Sequence, residues 1–264
     1  MKRKFDWWDN DGGFFGKRYI EGDDSVEGFI PNKKERLNER TRREVNGIIY
    51  LTKIKERSEI LDLPCGYGRH SIELANQGFS VVGMDINVEH LLKAKEDAKG
   101  KNILFLKKDM RNIGKENYDK FDLVINMFYS FGFFEDEKDN EKSMKEIYNA
   151  LRDSGKFVLH TDVFPEMFKN GNYRFREERH LSNNKKLIIE EEYNNKTHRI
   201  NGSWTIISKI GKDKLTPYSV RIYTKDEFEA LAKKIGFRKT KFYGSFNGDK
   251  LTSLSSELIM IAEK

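Results

Sequence analysis

The sequence predicts an α/β protein: a doubly wound, mostly parallel seven-stranded sheet, with an antiparallel β insertion between strands five and six. Three observations lead there. From Ser58 onward, short apolar segments rich in branched residues alternate with amphipathic ones, the pattern of strands buried on both faces and helices packed over them. A glycine-rich turn stands where the first of these strands passes into a helix. After residue 172 the alternation gives way to β-like segments separated by turn residues, and it resumes near residue 222.

Each element has its own justification. Residues 1–32 hold Trp7, Trp8, Phe14, Phe15 and Tyr19 in no clean period, so they are expected to form an irregular aromatic arm that packs on the domain or closes over a site as a lid. A helix is expected from about Lys33, with Leu37, Thr41, Val45, Ile48 and Thr52 on one face and Arg and Glu on the other. The seven strands are Glu59–Asp62, Phe79–Met84, Ile103–Leu106, Phe121–Asn126, Lys156–Asp162, Phe237–Tyr243 and Glu257–Ala262. Helices lie between them, with Val88, Leu91, Leu92 and Lys95 marking one apolar face and Met144, Ile147, Tyr148 and Leu151 another. Leu187–Tyr193, His198–Ile207 and Tyr218–Tyr223 read as strands of a meander, with turns at Asn183-Asn184, Asn194-Asn195 and Gly211-Lys212-Asp213. Thr224 and Glu227 then form a capping box that opens a helix with Phe228, Leu231, Ala232 and Ile235 inward, and Gly236 stops it. The organisation is therefore an arm at 1–32, an α/β domain made of 33–172 and 222–264, and an insertion at 173–221 over the acceptor side.

Composition narrows the function classes. The 264 residues are 37% hydrophobic and 35% charged, and 19 Phe, 11 Tyr and 3 Trp argue for a folded chain. Lys and Arg number 49 against 43 Asp and Glu, a net charge of +6 that is too small and too interspersed to require nucleic acid. The single cysteine, Cys65, excludes an internal disulfide and a multi-cysteine zinc site, and no metal site is expected. The opening Met1–Asp9 is basic but lacks an apolar stretch, and the most apolar run, Phe121–Phe134, is too short to span a bilayer. A cytoplasmic protein without a membrane partner is expected, as a monomer or homodimer.

The stretch that carries chemistry is Ile60-Leu61-Asp62-Leu63-Pro64-Cys65-Gly66-Tyr67-Gly68-Arg69-His70. A buried strand ends in an acid, two glycines let the backbone pass close to a ligand, and a helix N-terminus offers free N–H groups. A second acid, Asp85, ends the next strand about 20 residues on, placed to accept from both hydroxyls of a ribose. A nucleoside-containing cofactor is expected, and two kinds fit. A dinucleotide site requires a third glycine, where Ser71 stands here, and Asp62 would repel a pyrophosphate. The same carboxylate suits the ammonium of S-adenosylmethionine, which charge therefore favours.

From Ile60 to about Asp162 the chain resembles the class I S-adenosylmethionine-dependent methyltransferases. More narrowly it resembles a bacterial subgroup with a D-x-x-C-G-x-G-R-H loop and an N-M-F-x-S-F-G-x-F segment, here Asn126 to Phe134. Arg221-Ile222-Tyr223-Thr224 and Tyr243-Gly244-Ser245-Phe246-Asn247-Gly248 match that subgroup's closing pattern. The resemblance implies a Rossmann-like fold, S-adenosylmethionine as cofactor and S-adenosylhomocysteine as product. It implies that Asp62, Cys65, Gly66 and Gly68 hold the methionine part. Asp85 would take the ribose, and Ile86 would lie against the adenine. Asp109 would accept from the adenine amino group and Met110 would donate its backbone N–H. Asn126 and Phe128 would face the sulfonium, and Tyr19 would close over the cofactor.

Methyl transfer from a sulfonium is an in-line displacement whose leaving group needs no acid, so alignment and exclusion of water are the protein's main tasks. A base is required only if the acceptor must lose a proton. The candidates are His160, at the end of the fifth strand, and Tyr129, after the fourth, with Asp162 a further one. Cytosine C5 methylation is excluded in practice because Cys65, the only thiol, sits in the cofactor loop. Asn126-Met127-Phe128-Tyr129 also lacks the D/N-P-P-Y/F pattern of enzymes acting on exocyclic base amines. The expected acceptor is a small molecule or a peptide, methylated on N or O. The alternatives are an RNA- or ribosomal-protein-directed methyltransferase, suggested by Arg36, Arg40, Arg42 and Arg43, and a NAD(P)-binding protein.

Overall fold

The structure is a computed structural model that describes residues 6–23, 25–26, 34–168 and 171–264. The helix start expected at Lys33, and parts of the arm (1–5, 24 and 27–32), lie outside the described residues. The chain divides into two compact units, Met1–Arg40 with Phe168–Arg221, and Thr41–Met167 with Ile222–Lys264.

The second unit is built on a seven-stranded sheet. Its strands are β1 (Glu59–Asp62), β2 (Ser80–Asp85), β3 (Ile103–Lys107), β4 (Phe121–Asn126), β5 (Leu151–Thr161), β11 (Lys239–Tyr243) and β12 (Leu258–Glu263), in the spatial order β11-β12-β5-β4-β1-β2-β3. β1 pairs in parallel with both β2 and β4, β4 with β5, and β2 with β3; β12 runs antiparallel to both of its neighbours. This is the doubly wound, mostly parallel sheet that the alternation predicts. The chain leaves β1 toward β2 and β3 on one side and returns to β4 and β5 on the other, which opens a crevice at the carboxyl ends of β1 and β4.

Helices α3 (Arg69–Asn76), α4 (Val88–Asp97), α5 (Glu137–Ala150) and α6 (Lys225–Ile235) connect the strands, and α2 (Leu37–Thr52) precedes them. The Thr224–Glu227 capping box is formed on both sides, and Gly236 ends α6 with a positive φ of 123°. In α2 the face Thr41, Val45, Ile48 and Thr52 is buried as predicted, and Val45 and Ile48 join a core with Ile60, Leu74, Val81, Ile125, Val158, Phe246 and Ile259.

α4 corrects the reading. Val88 and Leu92 are exposed, and the buried stripe is Leu91, Ala94 and Ala98, packed with Cys65 and Phe105. The reason is close approach: a Cβ added to Gly68 would come within 2.9 Å of the Ala94 Cβ, so the helix meets the glycine loop through its smallest side chains. The short apolar side of α4 was hidden by the larger residues next to it. β5 also begins earlier than expected, directly at the end of α5.

The first unit contains the expected antiparallel insertion. Strands β6 (Arg174–Leu181), β7 (Lys185–Asn194), β8 (Arg199–Ser208), β9 (Gly211–Lys214) and β10 (Tyr218–Arg221) form a sheet in the order β10-β8-β7-β6, with β9 paired to β8. β6 carries four charged side chains in its first five residues, which concealed it as a strand. Its buried positions alternate as Glu177, Arg179 and Leu181, and the two charged groups pair with each other (Arg179 Nε to Glu177 Oε2, 2.7 Å). The arm packs on this sheet through α1 (Lys17–Asp23) and the rings before it. Phe14 lies 5.3 Å from Trp204 and 4.3 Å from Tyr218, and Tyr19 stacks on Trp204 at 5.2 Å and 16°.

Gly47 of α2 tests the packing of the second unit. A Cβ there would lie 2.3 Å from the Cβ of Phe246, a core residue on a loop that cannot retreat. Despite alanine's higher helix propensity, Gly47→Ala is expected to destabilise the protein by about 1–3 kcal/mol. The check is a drop of roughly 2–10 °C in the midpoint of thermal unfolding.

Candidate active site

The crevice between β1 and β4 is lined first by carboxylates. Asp62 ends β1 and is fully buried; its Oδ2 accepts from the Ser71 hydroxyl at 2.6 Å. Ser71 therefore occupies the place of a third glycine for a reason: it clamps the acid that a pyrophosphate would not tolerate. Asp85 ends β2 and accepts from the Gly66 N–H through Oδ2 and from the Asn87 N–H through Oδ1, each at 2.8 Å. This carboxylate thus shapes the glycine loop, and each of its oxygens retains acceptor capacity for a further donor. Burial pushes Asp62 up to about 7, against the Ser71 hydrogen bond and the Arg69 charge, and pushes Asp85 up to about 6.

Gly66 and Gly68 both have positive φ, 54° and 83°. A Cβ at Gly66 would meet nothing within 4 Å, so the backbone there borders open space, whereas Gly68 is pressed against Ala94 and Phe105. Cys65 is buried, its thiol held well above the ordinary value by burial and the two carboxylates, so it is no nucleophile. Its N–H donates to the Met84 carbonyl at 2.9 Å, a backbone role.

Behind the loop lies an ion-pair cluster that sequence reading missed. Glu44 of α2 is fully buried; its Oε2 accepts from Arg69 Nη1 at 2.6 Å and from His70 Nε2 at 2.8 Å, and Arg69 also donates to Thr41 Oγ1 at 2.9 Å. Burial and the adjoining Arg69 charge push His70 down to about 4, so its ring is neutral at pH 7. The signal for Glu44 was present, because a spacing of three from Thr41 and four from Ile48 puts it on the apolar stripe of α2.

The end of β4 is strained. Phe128 and Tyr129 are consecutive non-glycine residues with left-handed φ of 57° and 70°, a conformation that costs about 1–2 kcal/mol per residue. Asn126 just before them is fully buried, and its Nδ2 donates to the Leu63 carbonyl at 2.9 Å. The Arg69 guanidinium carbon lies 5.4 Å from the centre of the Phe128 ring. His160, expected as a base, has a fully buried ring whose Nδ1 receives the Phe128 N–H at 3.4 Å, and its carbonyl accepts the Tyr129 N–H at 3.2 Å.

At the end of β3, Asp109 faces Arg111. The guanidinium donates to both of its oxygens, at 2.7 Å for the shortest contact, and also to Asp139 at 2.8 Å, while stacking over Phe134 at 4.4 Å. Burial raises the Asp109 pKa, but the Arg111 hydrogen bonds and charge outweigh it and hold the carboxyl below its usual range. Met110 is buried in the turn that follows, and Ile86 is half-buried after β2. Tyr19 belongs to the other unit, against Trp204.

Among the buried acceptors without a hydrogen-bond partner are Asp62 Oδ1 and Asn126 Oδ1, on adjacent strands at the crevice. Orphaned acceptors of this kind call for a cationic or N–H donor, the chemistry of an amino-acid ammonium. Among the described residues no group of His, Cys, Asp and Glu is arranged to hold a metal ion, and no helix is long and apolar enough to cross a membrane.

Residues 60–155 match a family model described as a methyltransferase domain. A glycine/sarcosine N-methyltransferase of Halorhodospira halochloris is 26% identical over 90% of this chain and 88% of its own length. One from Aphanothece halophytica is 32% identical over 55% of this chain, which spans only 59% of that relative. In fold, the chain resembles S-adenosylmethionine-bound CalS10, an amino pentose methyltransferase from Micromonospora echinaspora, with a TM-score of 0.67 at 18% identity over 86% of this chain and 92% of that one. Residues 60–155 thus carry a methyltransferase domain, and the fold around them is the one seen in S-adenosylmethionine-dependent methyltransferases.

A pH dependence follows from Asp62. Below about pH 7 its carboxyl holds a proton in the free protein, so an ammonium placed against the orphaned Oδ1 would have to expel that proton. Affinity for S-adenosylmethionine is expected to weaken by up to about tenfold per unit as pH falls below 7. Calorimetry in buffers of different ionisation enthalpy should register the released proton. Asp62→Asn should bind more weakly at pH 8 and show a flat profile down to about pH 7, below which Asp85 begins to protonate.

Proposed function

We propose that this S-adenosylmethionine-dependent methyltransferase methylates the nitrogen of a small-molecule amine. The observation that carries the reading is the commitment of His160, whose Nδ1 lone pair is taken up by the Phe128 amide inside the protein. A hydroxyl acceptor needs a base in the transition state, and His160, the candidate best placed in sequence at the end of a strand, is not disposed to be one, which favours an acceptor that needs none. An amine attacks through its own lone pair once neutral and needs only alignment. The relatives point the same way, two being named glycine/sarcosine N-methyltransferases and one an amino pentose methyltransferase.

In this reading each site residue has a task. Asp62 and Asn126 accept from the ammonium of the cofactor's methionine part, with the Gly66–Gly68 loop against its chain. Asp85 accepts from the ribose, Ile86 and Met110 border the adenine, and Asp109, while holding Arg111, accepts from the adenine amino group. The cofactor supplies an electrophilic methyl group on a sulfonium. The turn Met127–Tyr129 sets where the acceptor nitrogen stands, and the apolar surroundings of Phe128 exclude water from the reacting line.

The test is release of S-adenosylhomocysteine from purified protein over a panel of primary and secondary amines, including glycine, sarcosine and amino sugars, beside matched alcohols. Turnover is expected on amines, with mass spectrometry placing the methyl group on nitrogen. Turnover confined to alcohols would overturn the reading.

A further inference from the structure

The strained turn at the end of β4 is held from behind by groups that no binding role requires. His160 on β5 receives the Phe128 N–H on Nδ1 at 3.4 Å and the Tyr129 N–H on its carbonyl at 3.2 Å, so both left-handed residues hang from one residue. Because Nδ1 accepts, the ring proton resides on Nε2. Glu257 Oε1 lies 3.8 Å from that nitrogen, beyond hydrogen-bond reach, so the carboxylate acts on the ring by its charge. Glu257, just before β12, is itself gripped at both oxygens by Arg43 of α2, at 3.2 and 3.5 Å. Phe246 packs against the imidazole at 5.1 Å and lies under the Arg43 guanidinium at 5.8 Å. The ring has no solvent exposure.

We propose that His160 is a positioning residue for methyl transfer. Its Nδ1 fixes the Phe128–Tyr129 turn, and the charge of Glu257, held by Arg43, favours the imidazole tautomer with its proton on Nε2. The arrangement is a relay: α2 sets Glu257, Glu257 biases the tautomer of the ring, and the ring sets the turn on which Asn126 and Tyr129 depend. A carboxylate behind an imidazole usually marks a base, yet here the nitrogen opposite the carboxylate points at a backbone amide. The relay rests on the assignment of methyl transfer and is independent of which acceptor is used.

The experiment compares His160→Asn, which keeps an acceptor oxygen near the Nδ1 position, with His160→Gln, which places its polar end near Nε2. Positioning through Nδ1 predicts that H160N keeps kcat within about threefold, while H160Q loses on the order of tenfold or more as the turn shifts. The acid limb of the pH–rate profile should be the same in H160N as in the parent. Glu257→Gln, which keeps the size and removes the charge beside the ring, should lower kcat by several-fold with little change in the Kd for S-adenosylmethionine. Equal, near-complete loss in H160N and H160Q with disappearance of the acid limb would make His160 a base and overturn the proposal. Unchanged kcat in all three variants, with only a lower Tm, would reduce it to a packing role and overturn it as well. Nitrogen NMR of labelled histidine supplies a readout that needs no acceptor: His160 should show a protonated Nε2 and an unprotonated Nδ1. The opposite tautomer would contradict the relay even if no amine in the panel were turned over.

Discussion

The second unit is organised around a constraint that its sequence imposes on itself: two carboxylates, Asp62 and Asp85, buried at the ends of adjacent parallel strands. Charges removed from water are costly unless hydrogen bonds and opposite charges replace the solvent. The loop between β1 and α3 meets that demand with the Gly66 amide, the Ser71 hydroxyl and the nearby Arg69 guanidinium. Each solution fixes another element. Gly66 must keep its left-handed backbone, Ser71 must face β1 from the first turn of α3, and Arg69 must be oriented by Glu44, which in turn pins α2 against the loop. The result is a preorganised set of acceptors. The candidate site is a by-product of how the acids are kept inside, and Asp62 Oδ1, left without a hydrogen-bond partner, is an acceptor that a ligand donor could satisfy.

Much of this was legible in the sequence because it follows from period and punctuation. The strands of the parallel sheet announce themselves as short apolar runs, and their final acids fall in register with the glycines. The capping box at Thr224 is equally local. What escaped had a nonlocal cause. Glu44 belongs by its charge to the polar side of α2, although its spacing places it inward; the half-buried Arg69 and the buried His70, contributed by a different element, make that position tolerable. β6 was missed because its inward charges neutralise each other across two residues, Glu177 and Arg179, and hydrophobic alternation does not register such a pair. α4 was rotated because close approach to Gly68 selects alanines over the bulkier Val88 and Leu92.

The candidate site divides in the same manner. Asp62, Gly66 and Asp85 could be named from strand ends and glycines. Asp109 could be named too, but its engagement with Arg111, two residues on, needs the turn geometry. His160 illustrates the limit most clearly. The end of β5 is where a base would be sought, and nothing in the spacing tells which way an imbalance between strand and loop will turn the ring. The left-handed pair Phe128–Tyr129 is likewise invisible, since neither residue type favours that backbone and the carbonyl and ring of His160, from a different strand, help it persist.

The place of β12 in the sheet has a consequence for how the chain is made. This strand follows the other eleven in sequence yet lies between β11 and β5, paired on both sides. At ribosomal speeds of about 5–20 residues per second, the interval between Thr161 and Leu258 lasts on the order of 5–20 s. Throughout that time the β5 edge, with Phe157 to Leu159, lacks its eventual partner and is open to pairing with another nascent chain. Soluble yield should therefore respond to translation rate and to chaperone supply more than to the strength of the glycine-loop half of the sheet, which is complete long before.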